Sequence, residues 1–509
     1  MKKNAKIIFT ALLIYILLVV LLFAVEYRDG NTGIHSIWDA VWFSLITMTT
    51  VGYGDIAPVT AAGRLIGTVF ALCSIGIFAA LIGLGISLIG GQIIPRLRLR
   101  ANKNRDWFVF AEENEDSLAL AKSLSQSNMG LVIFLEGEKK EALPDAVWMN
   151  TGYERFLDQL RERKTASFFF MGEDPWLNYS RGLEAAQQGM QVYSMSSAKV
   201  DQLPENLHLF CREDALSRFY WQQHPLRRDE KCVVLIGCGL YGSALLERAL
   251  LTNVFESGRT TEYHVFEDTA QFQAMHSELA QTMRNQPGGD SLFFHGESWT
   301  ECRDLLRKAD RIIICRESDQ AGMSVFDTLK SWYVAPRAIH VRLSGDYSGI
   351  TSFGERDKIL TPEFVMKDLI NRMAIRMNDL YNEGTQNPTP WNELSGFFRE
   401  SNIAAADHLI VKVRYLLDDD ELTALTPEDC LQAYERYREQ YAEKAELFEE
   451  MEHRRWMRFL QMYNWRYAPK RDNAQRLHHL LIPFEQLSDE EKRKDDFAWE
   501  LLSRLNVGE

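Results

Sequence analysis

The 509-residue chain carries 57 basic and 71 acidic residues, a formal charge of −14, and at ~100–200 residues per domain it is too long for one. No net basic field gathers phosphates, which excludes nucleic acid as a general partner. Seven cysteines without a CxxC pair indicate neither a disulfide framework nor a zinc site, and fit a reducing cytosol.

Two apolar runs open the chain. The first, 7–25, spans the ~30 Å of a bilayer core at ~1.5 Å per residue. Lysines precede it, yet it is too long for a signal peptide and lacks a small-x-small cleavage site. The second has no charge from 65 to 95 and predicts a span over about 65–94. Lys2, Lys3 and Lys6 flank one outer end, and Arg96, Arg98, Arg100, Lys103 and Arg105 the other. The positive-inside rule therefore puts both ends, and the large remainder, in the cytoplasm of a multi-pass cell-membrane protein.

Between the runs, Ser36-Ile37-Trp38-Asp39 predicts a helix over 37–48, with a serine cap and an acid in its first turn. Too short to cross, it re-enters with its carbonyl end inward, where partial negative charge favours a cation. Thr50-Val51-Gly52-Tyr53-Gly54-Asp55 follow. Glycine at alternate positions lets an extended segment aim its carbonyl oxygens at one axis and replace a cation's hydration shell. The string TVGYG is that of the carbonyl-lined filters of K⁺ channels.

The order span, short helix, TVGYGD, span resembles the two-span potassium channels over residues 7–95. That resemblance implies a homotetramer in a lipid bilayer with K⁺ in the filter and no enzymatic activity. It also implies that Trp42 and Phe43 brace Tyr53, and that the second span bends near Gly76, with Gly83 as the other candidate hinge. By composition alone the aromatics could pack against lipid, and the glycines could serve close helix contact.

After Arg105 short apolar strands alternate with helical stretches, as in a doubly wound α/β fold. Residues 107–111, 130–135, 167–171, 191–195 and 207–211 are the expected strands of a unit over 101–229. Its first turn reads Ala111-Glu112-Glu113-Asn114-Glu115-Asp116, whose carboxylates repel a diphosphate. A structural role is expected there, with divalent-cation binding as the alternative. A second unit, 230–380, has expected strands at 233–236, 263–266, 292–295, 311–315 and 338–343. Here Gly237-Cys238-Gly239-Leu240-Tyr241-Gly242 follows the first strand as GxGxxG, and Glu267 and Asp268 end the second strand. The first glycine makes the turn, the second admits phosphate, the third lets helix meet strand, and an acid takes ribose hydroxyls. The motif supports NAD(H) or an adenine nucleotide, or a packing role alone. A pore followed by two such units resembles the ligand-gated channels with paired regulator-of-K⁺-conductance (RCK) domains, whose cytoplasmic ring pulls on the inner helices.

From about 381 the chain is helical and densely charged. Glu452-His453, Trp456, Trp465-Arg466-Tyr467, His478 and Leu481-Ile482-Pro483-Phe484 resemble the RyR domain, with Ala468 and His479 departing from its pattern. The implied ligand site is His453, Trp456, Trp465, Tyr467 and His478. The rings could stack a base while Arg454, Arg466, Lys470 and Arg471 meet phosphates; docking within the assembly is the other reading. No Ser/His/Asp, Cys/His or zincin pattern appears, which leaves a nucleotide-using enzyme a remote alternative.

Overall fold

A computed structural model describes the backbone of residues 2–29, 33–88, 93–160, 166–285, 289–335, 338–383, 385–492, 499 and 502–503. Side chains are described at those positions except 2–12, 73–81, 84, 86–88, 157–160, 285, 427 and 442. Contacts divide the chain into two compact units, 1–103 with 147–149, and 104–146 with 150–509.

The first unit holds helices Lys2–Glu26, Ile37–Met48, Ala61–Leu88 and Ile94–Ala101. The short helix starts on a capping box: Asp39 N donates to Ser36 Oγ at 3.3 Å, and Ser36 N to Asp39 Oδ2 at 2.7 Å. The next long helix begins at Ala61, four residues before the charge-free run, because its N-terminus is capped from afar. The fully buried Glu26 accepts from the amides of Val59 and Thr60, both at 3.1 Å, and from the Thr60 hydroxyl at 2.6 Å. A carboxylate at the positive end of a helix also ties the first long helix to this one. Val19, Leu22, Ile34, Ala40 and Phe70 form the core between them. Among the described residues no helix is long and apolar enough to cross a membrane; both expected spans rest partly on side chains outside that set.

The second unit contains the strands of two six-stranded sheets, except for Val147–Trp148, which groups with the first unit. Strands β1 (Trp107–Phe110), β2 (Leu131–Phe134), β3 (Val147–Trp148), β4 (Ala166–Phe170), β5 (Gln191–Met195) and β6 (Leu207–Phe210) run in the order β3-β2-β1-β4-β5-β6. Strands β7 (Cys232–Ile236), β8 (Glu262–Phe266), β9 (Ser291–His295), β10 (Arg311–Ile314), β11 (Ile339–Arg342) and β12 (Thr351–Phe353) run β12-β11-β10-β7-β8-β9. Both have the dinucleotide-fold order, whose crevice lies at the carboxyl ends of the first and fourth strands. Strands β1, β2, β10 and β11 are buried at every position, as helices on both faces require.

The helices beyond the second sheet close onto it. Arg454 donates to Phe255 O at 2.8 Å, and Arg458 to Leu250 O at 2.9 Å and Asp290 Oδ2 at 2.7 Å. His408 Nε2 donates to Val254 O at 2.8 Å. The buried Arg248, on the helix Leu240–Thr252, joins Asp214 at 2.6 Å to Glu400 at 2.8 Å.

Candidate ion pore and nucleotide site

At the end of the helix Ile37–Met48 the backbone alternates hand. Thr50, Gly52 and Gly54 have φ of 58°, 54° and 72°, a region costly for side chains and easy for glycine. The alternation turns successive carbonyls the same way, which a filter requires. The amides of Val51 and Gly52 both donate to Ile46 O, at 3.0 and 3.2 Å, anchoring the segment to the helix end. Trp42 stacks on Tyr53 (6.1 Å between centroids, 7° between planes) and donates from Nε1 to Asp55 Oδ2 at 3.0 Å. Phe43 departs from the expectation: it sits in the helix core against Gly67 instead of bracing Tyr53. Each residue advances a helix by ~100° of rotation, so adjacent aromatics face different ways. Gly83 lies within Ala61–Leu88 with nothing within 4 Å of a Cβ placed there. The surroundings of Gly76 fall outside the described residues.

In the second unit the glycine turn follows β7. Gly237 has φ 95°, and a Cβ there would overlap the Cys315 carbonyl. A Cβ on Gly242 would overlap the Gly237 carbonyl oxygen. Packing alone therefore explains these two glycines. Gly239 is different: the nearest atom to a Cβ placed there is a carboxylate oxygen of Glu317, at 3.0 Å. It caps the helix Leu240–Thr252 with no side-chain bond to the helix amides, the geometry of an anion cradle. Burial pushes the Cys238 thiol up to about 11 and the Cys315 thiol up to about 12, so neither sets a thiolate against a phosphate near neutral pH.

Glu267 and Asp268 both adopt left-handed backbone at the end of β8, with φ 63° and 52°. Glu267 pairs with Arg316, whereas Asp268 is exposed. Arg316 and Glu317 were not singled out in the sequence. Their signal is positional: they directly follow β10, which lies beside β7, so they overhang the crevice.

The equivalent turn after β1 is filled by the chain itself. Glu112 pairs with Arg181, Glu113 with Lys140 at 2.7 Å, Glu115 with Arg356 at 2.6 Å, and Asp116 with both Arg212 and Arg356. Burial opposes the charge on Glu113, but the Lys140 bond outweighs it and holds the carboxyl below its ordinary range. Gly137 and Gly172 leave room for Glu113 and Glu112, whose oxygens a Cβ at either position would overlap. Arg212 also stacks at 5.1 Å on Tyr241 of the second turn, with Arg342 on that ring at 3.8 Å. One guanidinium thus touches both crevices.

The tail residues gather in part. His453 donates from Nε2 to Ile482 O at 2.8 Å, and its ring stacks on Trp456 at 5.6 Å. His478 meets Trp456 edge-on at 5.0 Å and Trp465 at 6.1 Å. Burial lowers the pKa of His453, and burial with Arg471 lowers His478 to about 4, so both rings are neutral near pH 7. Trp465 is buried beside Phe397. Tyr467 stands apart, exposed on the short strand Arg466–Tyr467. Arg466 is bound to Glu278 at 2.8 Å, and Arg471 to Asn473 at 2.8 Å. The cluster's ring faces are largely taken by one another.

Residues 7–90 match the family described as Ion channel. A voltage-gated potassium channel of Aeropyrum pernix is 45% identical over 62 residues, 12% of this chain and 21% of that protein. Potassium voltage-gated channel subfamily A member 5 of Homo sapiens is 44% identical over 70 residues, 13% of this chain and 11% of that protein. The chain thus spans about a fifth or less of these curated relatives. Among solved structures, GsuK bound to ADP is 14% identical with a TM-score of 0.36, covering 72% of this chain and 100% of that one. The GsuK channel bound to NAD is 12% identical with a TM-score of 0.33, covering 82% and 85%. Likeness at those TM-scores carries no argument for this chain.

Proposed function

We propose that the chain is one subunit of a K⁺-selective channel in the cell membrane, opened or closed by a nucleotide at the Gly237–Gly242 turn. The alternating left-handed backbone at Thr50, Gly52 and Gly54 carries this reading. It sits in the stretch shared with potassium channels and supports a strand of carbonyls that replaces K⁺ hydration. Four copies close the ring. Leu13, Ile14, Leu17, Leu21, Leu65 and Leu72 are exposed on the single chain, which supports cover by lipid or neighbouring subunits. In this reading residues 1–100 are the pore, 101–229 and 230–380 are RCK-like domains, and 381–509 are a RyR-like module, with both termini cytoplasmic.

Gating follows if the nucleotide binds the open and closed arrangements with different affinity. For the tail, docking is the better supported role, because its arginines and His408 bond to backbone and acid of the second α/β region. A divalent cation at Glu112–Asp116 has little support, since each carboxylate there already has a cationic partner. Reconstitution into liposomes tests the proposal: K⁺ flux is expected, and none under any nucleotide overturns it. Gly52→Ala is strained at φ 54° and is expected to lower the K⁺/Na⁺ ratio at least tenfold; an unchanged ratio defeats the filter assignment.

A further inference from the structure

On the second sheet, at the opposite end of the strands from the glycine turn, three donor side chains converge. Cys232 opens β7 and Glu262 opens β8; the two are paired in register, and His264 lies two residues further on the same face. The Cys232 sulfur, a Glu262 oxygen and a His264 ring nitrogen all lie within 4.8 Å of one another. Five residues separate this edge from Gly237 and Glu267, roughly 16 Å of strand.

The hydrogen bonds fix which nitrogen of His264 faces this group. Glu297 can only accept, so His295 Nδ1, 2.9 Å from Glu297 Oε1, carries a proton. In a neutral His295 the Nε2 is then an acceptor, and it lies 3.0 Å from His264 Nδ1. With that tautomer of His295, His264 Nδ1 donates and His264 Nε2 carries the lone pair. That atom is buried without a hydrogen-bond partner, and Glu262 Oε2 stands 3.5 Å from it. The lone pair and the Glu262 carboxylate thus face one another, an opposition that a cation between them relieves.

We propose that Cys232, Glu262 and His264 bind a transition-metal ion of the Zn²⁺ class, with His295 and Glu297 as positioning residues that hold the His264 tautomer. Thiolate, imidazole and carboxylate together suit Zn²⁺ or Co²⁺ and disfavour Mg²⁺ or Ca²⁺. Three protein ligands leave the fourth tetrahedral position to water. Ligands at ~2.1 Å from a tetrahedral ion stand ~3.4 Å apart, so donors no more than 4.8 Å apart close by at most ~1.4 Å on binding. The exposed Glu262 is free to make that movement. The carboxylate–histidine–histidine–metal relay is the arrangement that orients a ligating ring and raises its basicity. Burial, then Glu262 and Asp310, push the Cys232 thiol up to about 11, so metal binding releases its proton.

The test uses the full-length protein in detergent, stripped with EDTA and titrated with Co²⁺ as a coloured stand-in for Zn²⁺. One ion per chain is expected, with a thiolate-to-metal charge-transfer band that Zn²⁺ displaces. Cys232→Ser should remove the band, and Cys302→Ser should leave it. Glu262→Gln, at a surface position that leaves the fold intact, should weaken Zn²⁺ binding at least tenfold. His295→Gln should keep the band and weaken binding ~10–100-fold. No band, a band that survives Cys232→Ser, or unchanged affinity in Glu262→Gln overturns the site. Unchanged affinity in His295→Gln overturns the relay.

Discussion

The two sheets share one strand order but fill the same crevice in opposite ways. After β1 the chain supplies its own anions, and Arg181, Lys140, Arg212 and Arg356 neutralise them. After β7 it supplies glycines and a helix start without a side-chain cap. The first crevice is therefore a closed ion-pair lattice, the second a place where an external anion can serve. Topology places the same crevice in both sheets, and the turns that enter it differ. Arg212 contacts Asp116 in one crevice and Tyr241 in the other, so one side chain links the two.

The largest expected effect comes from Gly242→Val. Its side chain overlaps the Gly237 carbonyl, and overpacking there should cost about 3 kcal/mol or more, read as a lowered Tm. Asp116→Ala attacks the other crevice. It strips the buried partner from Arg212 and Arg356 and should cost about 2–3 kcal/mol, below the full buried-pair value because both arginines are partly exposed. If its Tm is unchanged, the first crevice is not held by those pairs.

Acid should also act on the second region. Burial, reinforced by Lys412, lowers the pKa of His408 to about 4, and this ring bonds the tail to Val254 O. A folded pKa below the unfolded ~6.5 means that the unfolded chain binds more protons in that window. Stability is full above about 6.5 and falls as pH drops toward 4, by on the order of 3 kcal/mol from this group. Protection factors of peptides around 250–260 and 400–416, which divide out the slower intrinsic exchange in acid, should fall between pH 7 and 5; constant protection factors would contradict the assignment.

Gly239→Ala is the smallest change and discriminates best. Only the Glu317 carboxylate stands near its Cβ position, so the unfolding free energy should change by less than about 0.5 kcal/mol. Nucleotide affinity should nevertheless fall about tenfold, equal to ~1.4 kcal/mol. Equal affinity would assign all three glycines to packing.

Much of this arrangement is legible in the chain because it is local. Ser36 and Asp39 mark the helix Ile37–Met48 at its first turn, and apolar runs such as Phe168-Phe169-Phe170 mark strands buried on both faces. The edge strands Val147–Trp148 and Thr351–Phe353 are too short to show a period. The cap of Glu26 on Thr60 joins residues 34 apart, and the Asp116–Arg356 bond joins residues 240 apart; no local pattern encodes either. Arg316 becomes a partner of Glu267, and His295 of His264, only when strand order and register are known.

The central claim is that a nucleotide in the second crevice controls a K⁺ pore. K⁺ flux through the full-length protein in liposomes, with NAD(H), AMP, ADP or ATP supplied to each side in turn, tests it most directly when wild type and Gly239→Ala are compared. The expected result is a wild-type flux that at least one nucleotide changes, with about tenfold more nucleotide needed in the variant. A K⁺ flux that responds identically in both proteins, or to no nucleotide at all, would contradict it.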